Sequence, residues 1–109
     1  MSLFEMIIRT NDDRDVDAYL NLLHDDYVFV RHQTGTEINK ADWEPAMRAM
    51  MASDDLQVET SRCIYENDDI LVMHQVMSFP DGSREAVMIV HALKDGKIMR
   101  SETGATLLK

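Results

Sequence analysis

The stretch Leu22-Leu23-His24-Asp25-Asp26-Tyr27-Val28-Phe29 contains a change from helical to extended periodicity. Up to its second residue, apolar residues recur at the spacing of one helix face, at Val16, Tyr19, Leu20 and Leu23. Downstream, residues 27–33 are rich in β-branched and aromatic side chains, which is typical of a strand. The stretch therefore predicts a helix that leads directly into the first strand of a sheet.

Another helix is predicted before this unit, because four residues near the N-terminus share one helix face: Leu3, Met6, Ile7 and Thr10. The polar cluster at residues 11–13 should end it, and Asp12 or Asp13 should cap the helix that follows. The N-terminal part of the chain is therefore predicted to be two short consecutive helices.

A third helix is predicted after the strand. Thr34-Gly35-Thr36 indicates a turn into a short partner strand near residues 37–38, and Asn39 or Asp42 then supplies a helix cap. The apolar face of this helix carries Trp43, Met47, Met50 and Met51. Methionines at helical spacing are typical of core filling, so we interpret this face as packed against the sheet.

From Leu56 onward the periodicity is that of strands. Turn sequences at residues 66–69, 80–83 and 95–96 separate four runs, Leu56–Tyr65, Ile70–Phe79, Arg84–Lys94 and Lys97–Leu107. Short turns join antiparallel strands, so these runs predict a meander. The fold class is α+β: a single domain over residues 1–109 with three N-terminal helices packed on a strongly curved, mostly antiparallel sheet.

The turn lengths predict which side chains share a face of the meander. With a two-residue turn at Asp95-Gly96 and a four-residue turn at residues 80–83, one face carries Met73, Gln75, Met88, Val90, Ser101 and Thr103, joined by Arg62 of the preceding strand. The other face carries Val72, His74, Val76, Val87, Ile89 and His91. Both faces are largely apolar, and three helices cover only one. We therefore expect a homodimer through the second face.

Composition excludes several classes of function. The chain has 109 residues, of which 45% are hydrophobic and 28% charged, the balance of one ordinary globular domain. Its formal charge of −9 disfavours nucleic acid and anionic membranes as partners. No apolar run is long enough to span a membrane, and the N-terminus lacks the basic region of a signal peptide. Cys63, the single cysteine, is interpreted as a small buried side chain in a cytoplasmic protein.

Residues 22–29 resemble the L-F-x-D-D-x-x-F transition of the nuclear transport factor 2-like superfamily, which includes SnoaL-like polyketide cyclases and ketosteroid isomerases. Gly35, the helix from Lys40 and the hairpin at Asp95-Gly96 continue the resemblance in the expected order, over nearly the whole chain. The resemblance implies a cone-shaped fold related to that of cystatins. It says much less about function, because one fold carries many activities.

The resemblance to the isomerases implies three functional positions. These are an Asp base on the first strand, and a Tyr on the first helix and a protonated Asp on the third meander strand as oxyanion donors. Those three places fall on Arg31, Ile7 and Val90, none of which keeps that chemistry. We therefore predict that the chain is not a steroid isomerase. A one-residue slip would put His32 at the base position, which makes it the candidate catalytic residue; the alternative is a polar strand end.

The resemblance further implies a pocket between the sheet and the helices. Its candidate ligand-binding residues are Tyr19, Arg31, Trp43, Arg62, Met73, Gln75, Met88, Val90, Ser101 and Thr103. Such a pocket suits an apolar molecule with an anionic or carbonyl end, bound by Arg31 or Arg62 unless acidic residues of the chain pair with them. The domain would be a binding protein or an isomerase, cyclase or dehydratase. The alternative is a non-catalytic module whose pocket is filled by Trp43 and methionines. We expect neither cofactor nor metal.

Overall fold

The computed structural model describes all residues 1–109, with three helices and six strands. In chain order they are α1 (Leu3–Asp13), α2 (Val16–Asn21), β1 (Leu23–Arg31), β2 (Thr36–Asn39), α3 (Lys40–Ala52), β3 (Gln57–Glu66), β4 (Ile70–Ser78), β5 (Arg84–Lys94) and β6 (Lys97–Leu108). The predicted fold class and element order are confirmed. Two boundaries differ: the N-cap of α2 is Asp15, and Leu23 begins β1 instead of ending the helix.

The six strands form one mixed sheet in the order β2-β1-β6-β5-β4-β3. Only the pair β1–β6 is parallel, and every other neighbouring pair is antiparallel. Irregularities interrupt the register of β3 against β4 at two points and of β5 against β6 at one. Such bulges bend a strand and increase its twist, which gives the sheet a concave face for the helices.

The hydrophobic core lies between that concave face and the helices. Leu71 of β4 and Ile98 of β6 are completely buried there, together with Ile7, Tyr19 and Trp43 of the helices. Arg14, which ends α1 in the left-handed conformation, donates hydrogen bonds to the backbone oxygens of Met51, Ser53 and Leu56 at 2.8–3.0 Å. Its guanidinium thereby joins the end of α1 to the chain that follows α3.

The turn between β4 and β5 contains five residues, one more than predicted. Ser78 pairs with Arg84, and Phe79 N donates to Ser83 O at 2.9 Å across the loop. Gly82 has a φ of 85°, and the Asp81 carboxylate accepts a hydrogen bond from Ser83 N at 2.8 Å, so this local geometry stabilises the longer turn. The extra residue reverses the two faces of β5.

The faces predicted for β5 were therefore wrong. Val87, Ile89 and His91 lie on the concave face, opposite Gln75, Met73 and Leu71, whereas the outer face carries Met88 and Val90. Next to them, β6 returns to the predicted faces. Leu93 pairs with Ile98 but Ala92 pairs with Arg100, and this bulge restores Ser101 and Thr103 to the concave side.

Strand β3 also differs from the prediction. After an irregularity between Val58 and Thr60, Ser61 pairs with Gln75 and Cys63 with Met73, which leaves Arg62 opposite His74 on the outer face. The placement of Arg62 towards the helices was wrong for this reason. Cys63 is exposed and not buried, because β3 is an edge strand that the helices cover only in part.

Candidate functional site

A cavity of about 520 Å³ lies between the concave face of the sheet and the helices. The helices contribute Ile7, Tyr19, Trp43 and Met47 to its lining, and the sheet contributes Met73 and Ile89. This volume lies within the range of about 300–1,000 Å³ that is usual for small-molecule sites. The cavity is therefore large enough for an organic molecule of several rings or a long chain.

Trp43 forms a wall of the cavity and does not fill it. Its ring stacks on Phe29 of β1 with centroids 4.0 Å apart and an angle of 10° between the planes. Contact across the whole ring face holds the indole flat against β1, which leaves the adjacent space free. Trp43 therefore belongs to the cavity lining, together with Met47, Met50 and Met51 of the same helix.

Polar side chains of β4, β5 and β6 lie on the concave face in separate contacts. His91 Nδ1 is 2.7 Å from Ser101 Oγ, and both residues are buried, with exposures of 4% and 2%. Gln75 Nε2 donates to Ser61 Oγ at 2.8 Å, and Thr103 Oγ1 donates to Val30 O at 3.3 Å. His91 Nε2 is not hydrogen-bonded to the protein. We call His91 and Ser101 the inner polar cluster.

Burial keeps this end of the cavity uncharged. It lowers the pKa of His91 to about 4, so the imidazole is neutral at pH 7. Burial likewise raises the pKa of Tyr19 to about 12 and that of Tyr27 still further. Tyr27 Oη lies near Ser101 and Trp43 Nε1 near Tyr19, although neither atom meets the geometry of a hydrogen bond.

Arg31 lines the cavity where it opens to solvent. Its guanidinium carbon is 5.8 Å from the centroid of the Phe29 ring, and no carboxylate lies within 4.0 Å of it. Four acidic residues could have paired with Arg31 or Arg62, but each lies near another basic side chain. These pairs are Asp25 with Lys40, Asp26 with His24, Glu37 with Arg100, and Glu44 with Arg48. The opening thus carries a positive charge without an ion-pair partner.

The structure brings seven of the predicted site residues together around the cavity: Tyr19, Arg31, Trp43, Met73, Gln75, Ser101 and Thr103. Arg62, Met88 and Val90 lie on the outer face, for the reasons of register given above, and their assignment to the pocket was wrong. His32 follows the end of β1 and is exposed, with Nε2 3.1 Å from Glu102 Oε1. The one-residue slip does not occur, because Arg31 pairs with Thr103 and takes the cavity position.

The lining residues that sequence reasoning did not name include Tyr27, Val87, Ile89 and His91. Tyr27 was assigned to β1 without a function. The other three follow from strand alternation once the turn at residues 79–83 is given five residues instead of four. The signal was present in Asp81 and Gly82, but a tight turn and a longer one share that composition.

The helical layer and the bent sheet around the cavity define a cone-shaped α+β fold. A family model described as "SnoaL-like domain" matches residues 4–101. The chain therefore belongs to the SnoaL-like family, as the resemblance of residues 22–29 implied. A search of the curated proteins finds no match to the chain.

Solved structures share this fold at low sequence identity. A provisionally assigned ketosteroid isomerase from Kribbella flavida DSM 17836 superposes with a TM-score of 0.80 at 17% identity, over 96% of this chain and 76% of that one. IdmH, a provisionally assigned polyketide cyclase from Streptomyces antibioticus, superposes with a TM-score of 0.72 at 16% identity, over 93% of this chain and 87% of that one. AclR, a provisionally assigned hydroxylase from Streptomyces galilaeus, has a TM-score of 0.72 at 16% identity, and the match covers 94% of this chain and 75% of that one. At these identities the similarity establishes the fold alone.

Nowhere does the structure group three His, Cys, Asp or Glu side chains in an arrangement that could hold a metal ion. His74, which the sequence placed on one face with His91, lies across the sheet from it, as does Glu102. None of the three helices has the length and apolar character needed to cross a bilayer.

Proposed function

We propose that this SnoaL-like domain binds an apolar small molecule in the cavity, with a neutral oxygen of the ligand against the inner polar cluster. The observation that carries the proposal is the pair of His91 and Ser101 buried in the lining of an open cavity. A pocket with mostly apolar walls and a few buried polar groups is the usual form of a small-molecule site. The names of the structural relatives, an isomerase and a cyclase among them, agree with a ligand of this kind.

The inner polar cluster favours a carbonyl or hydroxyl oxygen over a charged group. With Nδ1 engaged by Ser101, His91 keeps Nε2 for a ligand, as donor or acceptor according to its tautomer. An ionised ligand group there would lose its hydration without meeting an opposite charge, because His91 is neutral and the neighbouring tyrosines stay protonated. A ketone, ester or alcohol would lose little and gain hydrogen bonds.

A proton-transfer reaction in the same cavity, such as isomerisation, cyclisation or dehydration, is the second candidate. It is favoured by His91, the one histidine that lines the cavity. A base works best when its pKa lies near the working pH, and burial holds the pKa of His91 at about 4. His32, the catalytic candidate from the sequence, is on the surface with Glu102. Binding is therefore the better supported function.

The test compares two tryptophan substitutions at neighbouring positions of β5. Ile89→Trp fills the cavity, whereas Met88→Trp adds the same side chain to the outer face. Thermal stabilisation by 2-acetonaphthone and 2-naphthol is measured for both variants and the wild type. We expect stabilisation of the wild type and Met88→Trp but none of Ile89→Trp. Equal stabilisation of both variants would refute binding in the cavity.

A second experiment tests the contribution of the inner polar cluster to binding. His91→Phe and Ser101→Ala remove the polar contacts while leaving the apolar walls in place. Both variants should bind 2-naphthol about tenfold more weakly, which is the value of about one buried hydrogen bond. Naphthalene, which has no oxygen, should bind the wild type and both variants alike. A loss of naphthalene binding in either variant would mean that the substitution had damaged the pocket.

We further propose that a second copy of the chain covers the outer face. Met88 is 42% exposed at its centre, beside the half-buried Val72, Val76 and Val90, and we call these four residues the outer patch. Charges of both signs flank the patch, with Arg84 and Glu59 on one side and Arg100 and Glu102 on the other. A surface with both charges at its rim can pair with itself across a twofold axis. Such a dimer would be cytoplasmic, where the exposed thiol of Cys63 stays reduced.

The dimer is tested by sedimentation velocity of the wild type, Val76→Asp and Met88→Asp at high micromolar concentration. We expect a wild-type dimer and two monomeric variants, because each Asp would be buried unpaired in the interface. Ala49→Asp, on an exposed position of α3, is the control and should remain dimeric. A monomeric wild type would refute the proposal.

A further inference from the structure

We infer that the ligand carries a carboxylate, which Arg31 binds at the opening of the cavity while the apolar body extends inward. This inference rests on the proposed function, and it specifies the chemical class of the ligand. Its starting point is charge. The chain has 20 acidic residues against 11 lysines and arginines, yet Arg31 forms no ion pair. Arg9 and Arg62 form none either, but both are exposed and outside the cavity, whereas Arg31 lines it.

Of the two arginines that line the cavity, only Arg31 is free of a partner. Arg48, Arg84 and Arg100 each pair with carboxylates at distances between 2.8 and 3.6 Å. Arg14, which also lines the cavity, is occupied by three backbone oxygens. Arg31 makes neither kind of contact and still borders the cavity. Its five N–H donors therefore remain available to a ligand.

The surroundings of Arg31 give the guanidinium a supported position. It lies 5.8 Å from the Phe29 ring, and Phe29 in turn stacks on Trp43 at 4.0 Å. An aromatic face steadies the planar guanidinium without occupying its hydrogen-bonding edge, which matches the two oxygens of a carboxylate. Asp12 and Glu85 also line the cavity, but neither reaches Arg31 within 4.0 Å, and both would repel a second anionic group. The ligand is therefore a monoanion.

The two ends of the cavity together favour one orientation of the ligand. The opening offers an unpaired cation, and the inner polar cluster offers neutral groups in a buried setting. A carboxylate keeps part of its hydration at the opening, whereas at the inner cluster it would lose all of it. An apolar acid with a keto or hydroxy group at its far end fits both environments.

The test uses two probes with the same ring system, 2-naphthoic acid and 2-naphthamide, at pH 7, where the acid is ionised. Calorimetry on the wild type should show tighter binding of the acid. Arg31→Gln should weaken the acid about tenfold or more, the usual loss for one charge-assisted hydrogen bond, and leave the amide unchanged. Arg62 is the other arginine that the sequence analysis proposed as a ligand contact, and it lies on the outer face. Arg62→Gln should therefore change the affinity for neither probe.

The outcomes separate this inference from the proposed function. Equal binding of acid and amide, with no effect of Arg31→Gln on either, would overturn the carboxylate site and leave the cavity as a binding site for neutral ligands. Binding of neither probe would overturn both. Acid binding that survives in Ile89→Trp would place the acid outside the cavity and overturn the inference as well. Raised salt should weaken the acid and not the amide.

Discussion

The two faces of the sheet have similar compositions and opposite surroundings. On β4, Leu71, Met73 and Gln75 of the concave face are buried, while the alternating residues Val72, His74 and Val76 are only half-buried. Each set contains two apolar residues and one polar residue. The difference in burial comes from the helices, which pack on one face alone. Residue type therefore did not decide which face became the core.

Strand β5 shows the same contrast at neighbouring positions. Val87 is 8% exposed and lines the cavity, whereas Met88 is 42% exposed and belongs to the outer patch. The larger and more flexible side chain is the one outside. Substitutions at matched positions on the two faces can therefore show whether the assignment of faces is right.

The largest effect is expected for charge at these two positions. Val87→Asp would bury an unpaired carboxylate and should remove several kcal/mol from the free energy of unfolding, a large part of the about 5–15 kcal/mol of a typical domain. Met88→Asp should cost the isolated monomer less than about 1 kcal/mol. Urea denaturation at low concentration measures both. A greater loss in Met88→Asp would mean that the faces of β5 had been exchanged.

A smaller difference is expected for truncation on β4. Leu71→Ala removes a completely buried side chain and should cost about 2–5 kcal/mol, because a core cavity is left behind. Val72→Ala, on the half-buried outer face, should cost less than about 1 kcal/mol in the monomer. Thermal and urea unfolding under the same conditions give the comparison. Equal losses would contradict the burial of Leu71 as the cause.

The concave face should also make stability depend on pH. Burial depresses the pKa of His91 from its usual 6.5 to about 4, so the unfolded chain binds the proton more tightly than the folded one. Above pH 6.5 His91 is neutral in both states, so the free energy of unfolding has its full value there. It decreases as the pH falls from 6.5 towards 4, because the unfolded chain takes up the proton first. The full shift corresponds to roughly 3 kcal/mol.

Two variants isolate this dependence. His91→Phe should have a flatter profile of unfolding free energy between pH 6.5 and 4 than the wild type. His74→Phe, one strand away on the outer face, is the matched control and should keep the wild-type slope. The slope is compared and not the absolute stability, because His91→Phe also leaves Ser101 without its partner. An unchanged slope in His91→Phe would exclude His91 as its source.

The smallest effect is expected for the exposed charges of the outer face. Arg84 donates to both carboxylate oxygens of Glu59 at 2.8 and 2.9 Å, and with Ser78 it lowers the pKa of Glu59 to about 2. Arg84→Ala should raise that pKa towards the ordinary value, as measured by NMR titration, with almost no change in stability because surface ion pairs contribute little. The pKa of Asp81, which Ser83 lowers, should not move.

The sequence predicted most of the fold because its signals were local. Asn39 caps α3 as expected, since its side chain accepts from Asp42 N at 2.9 Å. The turn at Asp95-Gly96 is also as expected, with both residues at positive φ and Lys94 opposite Lys97. Caps and tight turns depend on a few adjacent residues, so a sequence pattern is enough to recognise them.

The candidate site was less predictable because it depends on register. One additional residue in the turn before Arg84 exchanged Val90 for Ile89 and His91 in the cavity, and a bulge near Met99 then returned Ser101 to the predicted face. Neither feature has a unique sequence signal, and each changes the face of every residue until the next irregularity. Of the residues named for ligand binding, those on β4 and β6 were placed correctly and those on β5 were not.

By itself the sequence determined the order of helices and strands, the alternation of side chains along each strand and the membership of the SnoaL-like family. Only the tertiary structure decided which apolar face the helices cover, that Trp43 stacks on Phe29 and leaves a cavity open, and that Arg31 lacks an acidic partner. The physical reason is distance along the chain. Helix caps and periodicity arise between near neighbours, whereas a cavity and an unpaired charge are set by residues that meet only when the sheet bends around the helices.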